Sequence, residues 1–367
     1  MTKLHHRALI AIAVLAAAAL YAAAEPGVPR APVEVRFGEL AALPDAHGFA
    51  GMYVGVSGDA LIAAGGTNFP NKPFSDGGDK RWYDHIFVMT EVDGGWRKAE
   101  QRLPRPLAHG VAVTHGGGVI CVGGAGPDSH HADVFEIRRG GDGVDITPLP
   151  PLPAAAAYMA GAIAGDVLYI AGGQPAPDAA EGTADFWALD LSVPREAMAW
   201  QRLTPWPGPP RHRAVAAAID STFLLFSGVR SEADEAGKQR WTRPLLTDAY
   251  RYTPARGAAG VWTRLPSLPR AAVAAASPAL VVGDRVLIPS GVSDAFLDAD
   301  REHFAGFPRD VLVFDPVLDA WASGATMPPG ASCVVPGVTH WRDRYVLVSG
   351  ETAPGLRTPR VFTLTAR

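Results

Sequence analysis

Cysteine is nearly missing from this chain: Cys121 and Cys333 are the two in 367 residues. They fall in different repeats of the pattern described below, so two free, buried thiols are expected rather than a disulfide framework. No cluster of metal-ligating residue types with the right spacing is present, so no metal site is expected. Blocks of like charge are missing too. The net charge is −4, with no basic run, which leaves nucleic-acid binding without its electrostatic footprint.

Long apolar runs are confined to one place. Lys3 and Arg7 precede an alanine-rich stretch from Ala8 to about Leu20, and Ala22-Ala23-Ala24 stands before Glu25. That order reads as a signal peptide over residues 1–24, which predicts an exported, periplasmic chain with no stable membrane insertion after cleavage. The other reading is an uncleaved anchor, for which the run is barely long enough. No cysteine follows it to take a lipid at that point.

Glycine and proline are abundant, 40 and 33, and both sit at turns between short apolar runs. Six such runs end in a glycine pair or its Ser-Gly variant: Gly65-Gly66, Gly123-Gly124, Gly172-Gly173, Ser227-Gly228, Ser290-Gly291 and Ser349-Gly350. A repeat at this spacing signals a propeller, solenoid or array. After each pair come a loop of variable length and a second alternating strand. In five copies that strand opens with an acid: Asp84, Asp133, Asp185, Asp248 or Asp310. A tryptophan strand follows in four copies (Trp96, Trp200, Trp262, Trp321), then a proline corner such as Leu103-Pro104 or Leu265-Pro266. Small-residue stretches such as Ala214–Ala218 and Ala271–Ala276 suit an innermost strand, where blades converge. The acids and tryptophans are read as ties between neighbouring blades.

Four strands per repeat make a blade, and aromatic residues with glycine pairs at about this period are the kelch signature. The expected fold is therefore all-β, a single six-bladed kelch-type propeller over residues 25–367. The last repeat stops after its third strand at Arg367. The orphan segment Val33–Leu43 is expected to supply its fourth strand and close the ring, which removes exposed edges.

In this topology the loops after the glycine pairs and the segments entering the inner strands share one face. Cationic entry segments, Arg105–His109, Arg211–Arg213 and Arg270, converge there and favour an anionic ligand; singly, each arginine also reads as an ordinary rim charge. Three loops exceed 15 residues: Thr67–Tyr83, Val229–Thr247 and Val292–Arg309. Loops of that length are either functional or mobile decoration. Loop position also marks Asn68, Arg81, Gln174, Arg211, Arg230 and Asp294 as candidate substrate-binding residues. In the sixth loop Glu351 follows the pair directly, and the Pro354-Gly355 turn brings Arg357 back beside it. Taken alone, a Glu–Arg pair on a hairpin also has a purely structural reading.

The segment Gly350-Glu-Thr-Ala-Pro-Gly-Leu-Arg-Thr358 resembles the G-E-x-x-x-G-x-R-T stretch of the kelch-type N-acetylneuraminate epimerases, or sialic acid mutarotases. Pro210–Asp220, and Phe49-Ala-Gly-Met52 with Ala60–Gly66, resemble two further blades of that family. The order differs: in the typical epimerase the glutamate blade lies mid-chain, and here it is last. The pattern resembles the cyclically permuted mutarotases. The resemblance implies cofactor-free interconversion of the α and β anomers of a sialic acid, a small-molecule sugar partner, and Glu351 and Arg357 as the catalytic pair. A positioned carboxylate suits proton shuttling, and a guanidinium suits a bidentate grip on the sugar's carboxylate. The long loops do not follow the typical epimerases, so a related acidic sugar is an open substrate. Two other classes stand beside this one. One is a non-catalytic kelch module binding a glycan or a protein. The other is a copper oxidase on the same fold, which needs a Tyr/His/Cys cluster that the sequence does not offer.

Overall fold

Each apolar run that ends in a glycine pair becomes the second strand of a four-stranded antiparallel sheet, and there are six such sheets. The computed structural model describes residues 30–255, 258–298 and 304–367, so the leader read at 1–24 lies outside the described residues. From inner to outer strand, blade 1 is Tyr53–Ser57, Ala60–Ala64, Ile86–Met89 and Arg97–Lys98. Blade 2 is Val111–His115, Gly118–Ala125, His130–Gly140 and Gly143–Leu149. Blade 3 is Ala160–Ala164, Val167–Ala171, Phe186–Asp190 and Trp200–Arg202. Blade 4 is Val215–Ile219, Thr222–Phe226, Ala249–Ala255 and Ala258–Leu265. Blade 5 is Leu280–Val282, Arg285–Pro289, Asp310–Asp315 and Ala320–Thr326.

Blade 6 has three strands from the C-terminal end, Gly337–Trp341, Arg344–Val348 and Val361–Ala366, and its outer strand is Val35–Leu40. The pairing runs from Val35 opposite Ala366 to Leu40 opposite Val361. The ring therefore closes as the sequence predicts. The inner strands of neighbouring blades pack on one another, and the hydrophobic core is divided among the blade interfaces. Ile62 and Val88 meet Cys121 and Phe135 between blades 1 and 2. Leu347 and Phe362 meet Leu287 and Val313 between blades 5 and 6. Both cysteines are buried and free.

The glycine pairs are required by backbone shape. The first position lies in the left-handed region in every copy, whether Gly65 (φ 67°) or Ser349 (φ 61°). A serine there carries some strain, and at two of the three serine copies, Ser227 and Ser349, the hydroxyl offsets it. Ser227 Oγ accepts from Ala272 N in the link to the next blade at 2.9 Å. Ser349 Oγ accepts from Phe49 N at 2.7 Å, across the closure of the ring.

The tryptophans do tie neighbouring blades. Trp96, Trp200, Trp262 and Trp321 each donate the indole N–H to a carbonyl at the exit corner of the preceding blade: Ala41, Pro150, Thr204 and Pro266. The acids differ from expectation. Asp84, Asp133, Asp185, Asp248 and Asp310 pair with Arg102, Arg105, Arg202, Arg211 and Arg270. These arginines lie in the same blade or its own entry segment, so each acid braces a blade internally. The stretch Ala271–Ala276 is also not an inner strand. Ala274 is left-handed (φ 57°) and Pro278 has no N–H to give a ladder, so the strand begins only at Leu280.

Candidate active site at the axial mouth

One residue at the entry to each inner strand has positive φ: Gly51 (69°), His109 (59°), Tyr158 (58°), Arg213 (55°), Ala274 (57°) and Val335 (47°). Their backbones form a closed ring of six hydrogen bonds of 2.7–2.9 Å, each N–H donating to the carbonyl of its counterpart in the preceding blade. The chain conformation is unfavourable for the five that are not glycine, and the ring of bonds holds it. The three large side chains fall on adjacent blades 2, 3 and 4. The three small ones, on blades 5, 6 and 1, leave room opposite.

That room is a cavity of about 220 Å³. The hairpin after the sixth pair forms one side of it. Glu351 lies opposite Arg357 in a two-strand ladder, and Arg357 Nη1 is 3.0 Å from Glu351 Oε2. Gly355 N donates to Glu351 Oε1 at 3.0 Å, so the turn fixes the carboxylate. The Arg357 side chain is only 6% exposed and stacks over the Phe69 ring. Among the described residues its Nε and Nη1 make no aligned hydrogen bond: the contact with Glu351 is an ion pair whose geometry leaves those donors directed elsewhere. Burial lowers the Arg357 pKa, and the Glu351 carboxylate opposes the shift.

The rest of the lining carries Lys80, His109, Tyr158 and Arg213, with Trp241, Phe296 and Phe307 supplying an apolar side. The three long loops thus contribute to the mouth: Lys80 from the first, Trp241 from the second, Phe296 and Phe307 from the third. The His109 and Tyr158 rings stack at 4.7 Å, and the Arg213 guanidinium lies 3.8 Å from the Tyr158 ring centroid. Burial, then the charges of Lys80, Arg213 and Arg357, push the His109 pKa well below the usual histidine value. His109 is therefore neutral; Nε2 is 3.4 Å from Thr67 Oγ1, and Nδ1 has no partner among the described residues. Gly51 makes space for that ring, since a Cβ there would lie 2.2 Å from His109 Nδ1. Gly51→Ala, which also has to keep φ near 69°, is expected to lower stability by about 2 kcal/mol. Thermal unfolding checks this; an unchanged melting temperature means the ring has room to shift.

The other candidates marked by loop position sit elsewhere. Arg211 is fully buried and bound to Asp248 and Ser227 O. Asn68 donates to Gly48 O and accepts from Tyr83 Oη, behind the hairpin. Gln174 donates to Pro177 O and Ala179 O and shapes its own loop. Asp294 accepts from Leu245 N, tying two long loops together. Arg81 and Arg230 are exposed and do not line the cavity. None of the six lines this cavity: four have polar atoms bound by backbone or neighbouring side chains, and two face solvent. Of the cationic entry segments, His109 and Arg213 reach the mouth, while Arg105 and Arg270 are held by Asp133 and Asp310.

His212, beside Arg213, is pushed down to about 2 by burial and by the Arg213 charge. An unfolded histidine takes up a proton near pH 6.5. Below that value the unfolded chain binds more protons than the folded one, so stability is full above pH 6.5 and falls as pH drops. His109 adds in the same direction. The expected loss is about 1.4 kcal/mol per pH unit for each fully neutral buried histidine. Melting temperatures at pH 7.5, 6.5 and 5.5 read it, and a flat profile contradicts it.

Fold and site together define a six-bladed kelch-type propeller whose axial mouth, among the described residues, holds one carboxylate among three cations. The comparisons with known proteins agree with the resemblance seen in the sequence. The family model described as N-acetylneuraminate epimerase matches residues 149–300. N-acetylneuraminate epimerase of Yersinia enterocolitica is 27% identical over 58% of this chain and 56% of its own. Those of Haemophilus influenzae (28%) and Pasteurella multocida (27%) match 57% of each chain. This chain is therefore similar to the N-acetylneuraminate epimerases, and its match spans a little over half the length of these proteins. The family match ends at residue 300, before the Glu351 hairpin. The solved structure of YjhT aligns with a TM-score of 0.64 over 89% of this chain and 99% of that one, at 12% identity, and shares the fold.

Proposed function

We propose that the protein is a cofactor-independent mutarotase that interconverts the α and β anomers of N-acetylneuraminate or a related acidic sugar, acting after export to the periplasm. The observation that carries this reading is the Glu351–Arg357 pair, held on a short hairpin and lining the axial cavity. The names of the relatives support the substrate class. We read the matches over a little more than half of each chain as those of a ring opened at a different blade, which aligns collinearly on only one side of the opening.

Glu351 takes the proton of the anomeric hydroxyl. The bond from the anomeric carbon to the ring oxygen breaks, its electron pair goes to the ring oxygen, and the proton is delivered there. The open keto form turns, and the reverse steps close the ring on its other face. The substrate is isomerised, so no oxidant or group acceptor is consumed. Arg357 holds Glu351 close through the 3.0 Å ion pair, and the apolar wall limits water.

The test is proton NMR of freshly released α-N-acetylneuraminate with and without protein. The expected result is faster appearance of the β anomer with protein. Coincident decays overturn the mutarotase reading for this sugar; if binding is seen without acceleration, the site is a glycan-binding one.

A further inference from the structure

Among the described residues, Arg213 and Lys80 are cations in the mouth without an acid of their own. Among the described residues, the fully enclosed Arg211 has Asp248, Arg270 has Asp310 and Arg357 has Glu351; neither Arg213 nor Lys80 has a carboxylate contact. Arg213 is nevertheless fixed. Its Cα belongs to the backbone ring. Its guanidinium lies between Tyr158 and Trp241, at 3.8 and 5.5 Å from the ring centroids. Its Nη1 is 2.5 Å from His212 Nδ1. Because His212 is neutral, Nδ1 accepts that bond and Nε2–H faces Ser231 Oγ at 3.1 Å. One edge of the guanidinium is thus anchored. Lys80 lines the same cavity, and burial, the main cause, lowers its pKa. Two partly desolvated cations facing a shared cavity favour an anion between them.

We infer that Arg213, assisted by Lys80, is the carboxylate anchor of the site, and that Arg357 serves Glu351 instead of gripping the substrate. This deepens the proposed function and rests on it for the identity of the sugar. In a sialic acid the carboxylate and the anomeric hydroxyl share one carbon. A carboxylate held on the blade 4 side therefore directs the hydroxyl toward Glu351 on blade 6. The aromatic wall next to Arg213 then takes an apolar part of the sugar.

The experiment compares N-acetylneuraminate with its C1 carboxamide, which keeps the shape and loses the charge. Binding to the full chain is measured for wild type, Arg213→Met, Arg213→Lys and Lys80→Met, with circular dichroism melts on each. Wild type is expected to prefer the acid by about tenfold or more, the worth of a charge-assisted hydrogen bond. Arg213→Met is expected to lose most of that preference, and Lys80→Met part of it. Arg213→Lys is expected to keep some, because the charge remains while the planar fork is lost. In anomer exchange, KM for the acid rises far more than kcat falls. Equal preference for the acid in wild type and in folded Arg213→Met overturns the anchor, as does a wild type that binds neither compound. If Arg213→Met does not fold, Lys80→Met and Arg213→Lys decide: unchanged preference in both overturns it. Acid preference lost with Arg213 but no anomer exchange by wild type upholds the anchor and overturns the mutarotase reading alone.

Discussion

Glu351→Gln slows anomer exchange by about 10²–10⁴-fold, the range a positioned acid–base group contributes, and lowers the melting temperature as well, because the nearly enclosed Arg357 loses its counter-charge. The substitution is matched to the geometry. A glutamine carbonyl still accepts from Gly355 N, as Glu351 Oε1 does at 3.0 Å, so the turn persists. What disappears is the ability to take and return a proton. No other carboxylate lines the described part of the cavity, and His109, although neutral, touches Thr67 and the Tyr158 ring. NMR exchange rates on wild type and variant at equal concentration decide the matter. A variant as fast as wild type removes Glu351 from the chemistry and moves attention to His109. Arg357→Lys serves as a companion. It keeps a cation near Glu351 but loses the flat group stacked on Phe69, so its rate is expected to lie between those of wild type and Glu351→Gln.

The Glu351–Arg357 juxtaposition was legible because it is local: a proline-glycine turn six residues wide fixes which side chains face each other. The blades were legible for the same reason, since each glycine pair sets the backbone turn at the end of a single strand. The rest of the mouth was not, and the causes differ. His109, Tyr158 and Arg213 take a glycine-like backbone conformation without being glycine, so no residue type announces them. The signal available was an offset: the ring residue lies fourteen positions ahead of the glycine pair in five of the six repeats. Lys80 and Trp241 lie on long loops where residue order says nothing about direction. Arg211 and Arg213 sit two positions apart and reach different places, because the left-handed Arg213 breaks the alternation an extended strand would impose. Arg211 then meets Asp248, and the recurring contact between an entry arginine and the acid opening the third strand was hidden by unequal loop lengths.

Asp248→Asn is expected to destabilise the fold by about 3–5 kcal/mol, more than the other single substitutions considered. Arg211 has no exposed side-chain surface, and its Nη1 and Nη2 donate to the two Asp248 oxygens at 2.7 Å each. Tyr250 Oη also donates to Asp248 Oδ2 at 2.7 Å. The guanidinium is flanked by Trp206 and Tyr250. Burial by itself raises the Asp248 pKa, but the hydrogen bonds and charge of Arg211, with the Tyr250 hydroxyl, outweigh it and leave the pKa lowered. Removing the negative charge leaves a cation enclosed among rings with no water to solvate it, and that imbalance, rather than the lost contact, sets the size of the effect. Chemical denaturation of the single variant reads the loss. The double variant Arg211→Met/Asp248→Asn discriminates the cause: if the uncompensated charge is what destabilises, removing the arginine as well recovers part of the loss. A double variant less stable than the single one shows instead that the guanidinium's packing against Trp206 and its bond to Ser227 O dominate. Because Arg211 enters blade 4 two residues before Arg213, the double variant separates a further pair of effects. If the brace only supports the blade, the preference of the mouth for an anion survives in the refolded protein. If it also aims Arg213, the preference falls with it.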